Sequence, residues 1–283
     1  MQCYSTKVKL STAQINKFQA YILRWYAMHG RHTLPWRQTT NPYHILVSEL
    51  MLQQTQVERV IPKYLAFLER FPTVETLSES PLSEVLKLWQ GLGYNRRAKF
   101  LWQTAREVAT THQGAFPQNT TSLQQLPGIG PYTASAVATF AFNHPVVVVE
   151  TNIRSIFLYH FFPNQSEIRD KQLEPLIKQT LWQHNPREWY AALMDYGSHL
   201  KKVLPNPSRK SNTYAKQSRF EGSLRQVRGA IIRALTAHSS LTLAQLKEQS
   251  TGNSTHFEDA LSQLIAEKMV SRKNDSYHLA DHA

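Results

Sequence analysis

The stretch Leu126-Pro127-Gly128-Ile129-Gly130-Pro131-Tyr132-Thr133-Ala134 has the form of a turn that opens a helix. Gly128 and Gly130 lack a Cβ atom, so the backbone at both positions can adopt a positive φ and approach another molecule closely. The apolar run that follows, as far as Phe142, supplies the helix. Because the first N–H groups of a helix have no partner within it, they favour an anion such as a phosphate. An ordinary glycine turn between two core helices is the alternative interpretation.

A carboxylate stands shortly after this helix, at Glu150. It follows an apolar run over residues 146–149 and precedes Thr151 and Asn152. The four valines of that run are β-branched and favour a strand by local propensity. A phosphate-binding turn, followed by an acid at the end of an apolar run, indicates chemistry on a nucleotide.

Length and composition limit the class of protein. The chain has 283 residues with 41% hydrophobic content, enough for one large or two modest domains with proper cores. No stretch approaches the ~20 continuous apolar residues of a membrane span, and the start of the chain lacks an apolar signal core. The sequence therefore predicts a cytoplasmic protein, nucleoid-associated if it is prokaryotic. The single Cys3, expected in a loose tail, excludes an internal disulfide and a cysteine-built metal site.

The charge balance favours a polyanionic partner. The formal net charge is +12, and nucleic acid is the polyanion that such a balance fits best. Between residues 201 and 233 basic residues far outnumber the single acid, Glu221. Each basic residue that neutralises a phosphate would make binding weaken with salt, although a solvated linker face is the alternative. The candidate contacts in this run are Lys201, Lys202, Arg209 and Lys210.

Apolar residues recur at helical spacing along almost the whole chain, which predicts a mostly α-helical, two-lobed fold. Pro62 falls within one of these patterns and predicts a helix start or a kink there. After residue 224, three helical patterns and two short strands around a polar turn predict a small winged-helix-like domain. We therefore predict a first domain over 1–200, a basic linker over 201–224 and a C-terminal domain over 225–283.

The hairpin stretch resembles the hairpin of the helix-hairpin-helix DNA glycosylases, and further motifs follow in the order of that family. The resemblance covers about residues 34–196, more than half the chain. Its most specific part is Met51-Leu52-Gln53-Gln54-Thr55-Gln56-Val57, because seven consecutive matching positions rarely arise by chance. The motifs are similar to those of the MutY branch, the adenine glycosylases. The other matching strings are Leu34-Pro35-Trp36-Arg37, Pro42-Tyr43, Ser48-Glu49-Leu50, Phe71-Pro72-Thr73-Val74 and Trp89-Gln90-Gly91-Leu92-Gly93-Tyr94.

The resemblance implies chemistry for three residues. Glu49 matches the general acid of the branch, since a carboxyl buried among apolar neighbours stays protonated and can donate to the departing base. A surface glutamate is the alternative. Glu150 stands where the superfamily usually has aspartate, and its charge is expected to stabilise the oxocarbenium ion; the extra methylene moves the carboxylate by roughly 1 Å. Tyr132 replaces the Schiff-base lysine of bifunctional relatives, which implies hydrolysis without strand cleavage.

Other matching residues belong to the parts of the family that flip a base out of the duplex and hold the DNA. Gln53 and Gln54 are expected to fill the gap, with a helix-buried glutamine pair as the alternative. Tyr94 is expected to wedge beside the opposite base, while Trp36 and Arg37 line the mouth of the base pocket. The expected phosphate contacts near the wedge and at the hairpin are Arg96, Arg97, Gly128, Gly130 and Thr133.

Two features of the branch have no counterpart in this sequence. The four cluster-ligating cysteines are replaced over 199–221 by basic and polar residues, which implies a clusterless glycosylase organised there by Tyr214 and Phe220. No cofactor is expected beyond a monovalent cation at the hairpin. The MutY branch also has a β-rich Nudix-like module that recognises 8-oxoguanine, and residues 225–283 do not resemble it. The expected function is excision of adenine opposite 8-oxoguanine or guanine from double-stranded DNA by a monomer. Excision of mismatched uracil, thymine or another damaged base, and a non-catalytic DNA-binding protein, are the alternatives.

Overall fold

The computed structural model describes residues 9–215, 219–250 and 255–281. Within these ranges most residues are helical, and the sheet near the C-terminal end is small, so the predicted mostly α-helical fold is confirmed. No helix in the described part of the chain is long and apolar enough to span a bilayer. Cys3 lies outside the described residues.

The helices carry the bulk of the fold and are numbered in chain order. They are α1 (Thr12–His29), α2 (Pro42–Leu52), α3 (Val57–Arg70), α4 (Val74–Glu79), α5 (Leu82–Trp89), α6 (Arg96–Thr111), α7 (Thr120–Leu123), α8 (Pro131–Phe142), α9 (Thr151–Phe161), α10 (Asp170–Thr180), α11 (Pro186–Val203), α12 (Leu224–Ala237), α13 (Leu243–Gln249) and α14 (Phe257–Ala266), with short 3₁₀ turns at Pro35–Arg37 and Pro207–Lys210. The strands are β1 (Leu241–Thr242), β2 (Val270–Lys273) and β3 (Ser276–Leu279).

The chain forms two compact units. The first unit combines residues up to 45 with 118–121 and 130–216, and the second combines 46–117, 122–129 and 217–283. The predicted domain boundaries at residues 200 and 224 divide the chain into consecutive segments, whereas each of these units combines separate segments. The boundaries therefore stay a prediction.

The core of the first unit lies between α1, α9, α10 and α11. Phe157 and Trp189 are fully buried there. The ring of Phe18 meets both of them edge-on, at centroid distances of 5.7 Å and 5.9 Å. Edge-to-face aromatic pairs of this kind add stabilisation beyond the area that they bury, so α1 is held firmly on the other two helices.

The valine run over 146–149 forms an extended loop and pairs with no strand. The Tyr190 hydroxyl donates to the Val146 carbonyl oxygen at 2.8 Å and accepts from the Val148 N–H at 3.1 Å. Buried backbone groups need partners, and here a side chain supplies them where a neighbouring strand would otherwise do so. Local propensity alone favours a strand here, whereas the resemblance to the glycosylase family implies the extended loop that is observed. The phenol of Tyr190 explains how the loop is tolerated.

The second unit contains α3 to α6 together with the C-terminal elements. α12 packs on α5 as well as on α13 and α14. The three strands form an antiparallel sheet in the order β1-β3-β2. The backbone N–H of Leu82, at the start of α5, donates to the carbonyl oxygen of Asp281 at 3.2 Å. The C-terminal segment thus contacts the helices of its own unit directly.

Several elements differ in extent from the sequence-based expectation. α3 runs through Pro62 without a break, although that residue has no N–H to give its helix. The apolar pattern over residues 170–183 predicts a helix as far as Gln183, whereas α10 ends at Thr180. The short α4 begins at a capping box of Thr73 and Thr76, which periodicity over only six residues does not reveal.

His160 on α9 links stability to pH. Burial lowers its pKa from 6.5 to about 4, because the charged imidazolium loses its hydration. The unfolded chain therefore binds more protons between pH 4 and 6.5, so stability must fall as the pH falls through that window. We expect the wild type to lose about 1–2 kcal/mol there through this group, after discounting for its partial exposure.

Urea denaturation at pH 7 and at pH 4.5 measures this effect. His160→Gln should show a smaller difference between the two free energies of unfolding than the wild type. His184→Gln, which changes an exposed histidine, is the matched control. Equal pH dependence in the wild type and His160→Gln would contradict the assignment.

Candidate active site

The hairpin opens α8 as predicted, but its two glycines have different roles. Gly128 has φ +71°, and a Cβ atom there would lie 2.3 Å from the side chain of Phe100. Both the backbone conformation and the space therefore require glycine. Gly130 has φ −82° and is the N-cap of α8, with open space around its Cα. The expectation of a positive φ at Gly130 is corrected: a small residue there leaves the helix N-terminus uncovered.

The first turn of α8 carries two predicted site residues, Tyr132 and Thr133. Tyr132 is half-buried and packs on the apolar core of the first unit. Thr133 is buried, with 3% of its surface exposed. Its side chain is enclosed by the protein, so the predicted phosphate contact at Thr133 cannot come from the side chain, and the contact stays a prediction.

Glu49 is buried in α2, with 6% of its surface exposed, in the second unit. Its chain neighbours Ser48 and Leu50 are buried as well. The surface glutamate that we considered as an alternative is therefore excluded.

Glu150 lies in the first unit and caps α9. Its Oε1 atom accepts hydrogen bonds from the N–H groups of Asn152 at 2.6 Å and of Ile153 at 2.8 Å, and its Oε2 atom accepts from Asn152 Nδ2 at 3.2 Å. A carboxylate at a helix N-terminus is stabilised by these donors and by the helix dipole. The side chain of Glu150 thus folds back onto the start of its own helix and caps it.

α11 reaches the start of α9 at Gly197. A Cβ atom on Gly197 would lie 2.2 Å from the carbonyl oxygen of Asn152, so only glycine permits this approach. One turn further on, Lys201 is half-buried, and its pKa is lowered by burial, an effect that attraction to Glu150 partly offsets. The capping carboxylate therefore has a lysine from α11 in its electrostatic environment.

The first residues of the segment predicted as a basic linker are part of α11, and this part of the chain belongs to the first unit. α11 extends to Val203, so Lys201 and Lys202 are helical. Lys210 Nζ donates to the carbonyl oxygen of Pro163 at 2.6 Å, which explains how the segment is ordered. Lys202 and Arg209 are exposed. The segment after the linker's 3₁₀ turn also departs from expectation, since Tyr214 and Phe220 are 41% and 53% exposed and do not organise it by packing.

Asp195 is a buried charged residue beside a predicted site residue, Arg37, and sequence reasoning missed it. Its carboxylate is buried and receives Arg31 Nη2 on Oδ1 at 2.5 Å and Arg37 Nη1 on Oδ2 at 2.9 Å. Arg37 Nη1 also donates to the hydroxyl of Tyr26 at 3.0 Å. Arg37, predicted at the mouth of the base pocket beside the half-buried Trp36, is thus clamped by an ion pair. The sequence feature that could have indicated this ion pair is an acid among the buried apolar positions of α11, between Leu193 and Tyr196.

Arg97 has a structural role that differs from the predicted phosphate contact. Its side chain is buried, and its Nη1 atom donates to the carbonyl oxygens of Leu50 at 2.5 Å and Gln53 at 2.7 Å. Its Nη2 atom donates to that of Gly93 at 2.9 Å. Burial lowers the Arg97 pKa to about 10, which leaves it charged at neutral pH. We therefore remove Arg97 from the DNA-contacting set, because carbonyl groups around the end of α2 and in the turn that precedes α6 occupy its donors.

The turn after α2 holds the predicted gap-filling pair outside the helix. Gln53 is half-buried and Gln54 is exposed, with φ +54° at Gln54. The helix-buried glutamine pair is therefore excluded. Arg96, the first residue of α6, keeps 64% of its side chain exposed and lies 3.5 Å from Glu267.

No metal centre fits the described residues. Across 9–215, 219–250 and 255–281, no group of three or more His, Cys, Asp or Glu could hold a metal ion. The chain has one cysteine, so the four-thiolate set of an iron–sulfur cluster cannot be assembled from it.

The described helices and the hairpin, with one buried and one capping carboxylate, define a mostly helical protein of the helix-hairpin-helix class. The profile of the HhH-GPD superfamily base excision DNA repair proteins matches residues 47–181. Adenine DNA glycosylase of Mycolicibacterium smegmatis is 33% identical over 274 residues, which are 90% of this chain and 92% of that protein. The chain belongs to the HhH-GPD superfamily of base excision DNA repair proteins.

Two further similarities support the same class. Adenine DNA glycosylase of Buchnera aphidicola subsp. Baizongia pistaciae is 40% identical over 185 residues, which are 64% of this chain and 52% of that protein. The chain spans about half the length of the Buchnera relatives it matches. The solved structure of a thermostable thymine-DNA glycosylase matches with a TM-score of 0.59 at 28% identity, over 65% of this chain and 86% of that chain.

Proposed function

We propose that this protein is a monofunctional DNA glycosylase of base excision repair, which removes adenine opposite 8-oxoguanine or guanine from double-stranded DNA. The observation that carries the proposal is the buried carboxyl of Glu49 in the string shared with the adenine glycosylases. The near full-length similarity to the adenine DNA glycosylase of M. smegmatis supports the choice of base. We place its action in the cytoplasm or on the nucleoid, as a monomer.

The proposed reaction divides between three residues. Glu49 donates a proton to a ring nitrogen of the flipped-out adenine, so the base leaves as a neutral molecule when the glycosidic bond breaks. Glu150 keeps a negative charge near the sugar, where the oxocarbenium ion develops. Water then adds to the anomeric carbon and gives its proton to the Glu49 carboxylate, which restores the acid. Tyr132 offers no amine, so no Schiff base forms and the strand stays intact.

DNA binding is proposed for groups at the surface of each unit. The open N-terminus of α8 at Gly130 would hold a phosphate, and the exposed turn at Gln53 and Gln54 would enter the gap left by the flipped base. Trp36 would line the base pocket. The additional phosphate contacts that we propose are Arg96, Lys202 and Arg209. Binding should therefore weaken with rising salt concentration.

Glu150→Gln separates the charge of the cap from its hydrogen bonds. The amide oxygen can still accept from the helix N–H groups, but the negative charge that offsets the oxocarbenium ion is lost. We expect the single-turnover excision rate to fall by at least about 100-fold while the protein stays folded. Glu150→Asp keeps both the charge and the cap, and should retain at least about ten times the rate of Glu150→Gln. Equal rates in the two variants would remove Glu150 from the mechanism.

Single-turnover excision on a panel of labelled duplexes tests the function itself. The panel holds adenine opposite 8-oxoguanine, guanine and cytosine, and uracil and thymine opposite guanine, with hot alkali to cleave abasic sites. We expect adenine loss opposite 8-oxoguanine and guanine, and strand breaks only after alkali. Breaks without alkali would contradict the monofunctional assignment, and duplex binding without base loss would indicate a non-catalytic DNA-binding protein.

Thymine excision is the second candidate. It is favoured by the structural similarity to a thymine-DNA glycosylase, which covers 86% of that chain. Loss of thymine or uracil opposite guanine, without adenine loss from any duplex, would show that the protein is a mismatch thymine or uracil glycosylase.

A further inference from the structure

Tyr94 adopts a backbone conformation that a tyrosine rarely takes. It has φ +50° and follows Gly93, which has φ +71°. A non-glycine residue in this region is strained, and such strain persists only when the surroundings hold the residue in place. The turn at Tyr94 is therefore a constrained feature of the second unit.

Two arginines contact the ring of Tyr94. The guanidinium carbon of Arg97 lies 5.5 Å from the ring centroid, and that of Arg225 lies 5.0 Å from it. Arg225 Nη1 also donates a short hydrogen bond to the Tyr94 hydroxyl, and its guanidinium lies 5.4 Å from the ring of Phe220. Arg97 is fixed by backbone carbonyl groups of the second unit, among them that of Gly93 beside Tyr94. Arg225 instead reaches the ring from α12, 131 residues further along the chain.

A second set of contacts holds the C-terminal segment beside the same turn. The Glu267 carboxylate, just after α14, receives Arg228 of α12 at 2.5 Å and Arg96 of α6 at 3.5 Å. The ammonium of Lys99 donates to the backbone carbonyl oxygen of Glu267. The helix that follows Tyr94 is thereby tied to α12 and α14, so the position of Arg225 is set by the fold of its unit.

We propose that Arg225 is a positioning residue which holds the ring of Tyr94 for insertion beside the opposite base, so that the C-terminal segment takes part in opposite-base discrimination. This inference rests on the proposed glycosylase function. A wedge discriminates between opposite bases only if its ring stays in one place, since small displacements of a positioned group have large effects on rate. The cation–π contact and the hydrogen bond of Arg225 restrict the ring in addition to the cation–π contact of Arg97.

Rates of adenine excision opposite 8-oxoguanine and opposite cytosine test the proposal, because their ratio reports discrimination. Arg225→Ala should lower this ratio by about tenfold, from the loss of one cation–π contact and one charge-assisted hydrogen bond. Arg225→Lys keeps the charge without the planar donor fork, and should recover the ratio only in part. Tyr94→Phe, which keeps the ring but loses the hydroxyl, should lower the ratio less than Arg225→Ala does.

The double variant Arg225→Ala with Tyr94→Ala separates positioning from a general structural effect. If Arg225 acts through the ring, adding Arg225→Ala to Tyr94→Ala should change the ratio by less than about twofold. Arg219→Ala is the matched control, because it removes the same charge from the same segment, where Arg219 pairs with Glu221 in solvent. A rate loss common to both arginine variants reports on general phosphate attraction.

Three results would overturn the proposal, and thermal melts of each variant accompany the rates. The first is an unchanged ratio in a folded Arg225→Ala variant with wild-type excision intact. The second is an equal effect of Arg225→Ala with and without Tyr94→Ala. A wild-type protein that excises no base from any duplex would overturn the proposed function and this inference with it, and that outcome is distinct from the first two.

Discussion

Glu49→Gln is expected to lower the single-turnover rate of adenine excision by at least about 100-fold, and by as much as about 10,000-fold. Glutamine has the size of glutamate but carries no acidic proton. The base must then leave without protonation, which raises the barrier to breaking the glycosidic bond. Because Glu49 is buried within α2, the neutral amide should fit its site without disturbing the helix.

Binding and catalysis separate in this variant. The affinity for a duplex containing the mispair, measured by fluorescence anisotropy, should stay within about threefold of the wild-type value, because phosphate contacts dominate affinity. Glu58→Gln, on the exposed side of α3, is the matched control and should excise adenine at the wild-type rate. A Glu49→Gln rate within about tenfold of the wild type would show that another group supplies the proton.

Asp195→Asn should destabilise the protein by about 3 kcal/mol, because it leaves two arginines without their buried counter-charge. The Asp195 side chain is 1% exposed and that of Arg37 is 12% exposed, so water cannot replace the lost carboxylate. Arg31, at 38% exposed, can move toward solvent, which keeps the expected loss at the lower end of the range for broken buried pairs.

Urea denaturation measures this loss, and a second ion pair of the same unit is the comparison. Arg154 and Asp170 pair at 2.7 Å with 15% and 30% of their side chains exposed. Asp170→Asn should therefore cost about 1 kcal/mol, since solvent screens this pair more strongly. If the two asparagine variants lost equal stability, the ion pairs of Asp195 would not act as a buried network.

The sequence predicted most of the local structure, because its signals lie within a few residues of one another. The spacing of apolar residues located most of the helices. The hairpin lies at the start of α8, and the acid that follows it, Glu150, lies at the start of α9. Even the cap at Glu150 is local, since its carboxylate binds N–H groups two and three residues further on. The similarity of whole motifs to a known branch added the roles that spacing alone leaves open.

The tertiary structure decided which charged side chains are buried and with what. Arg97 and Arg96 are adjacent in a basic motif, yet one is enclosed by backbone carbonyls and the other is exposed. Such burial depends on which face of α6 packs inward. No local pattern links Asp195 to Arg31, 164 residues earlier, or Arg225 to Tyr94, 131 residues earlier. The amino-acid sequence thus determined the helices and the chemistry they can carry. Helix packing, which pairs residues distant in the chain, decided which arginines act as structural anchors.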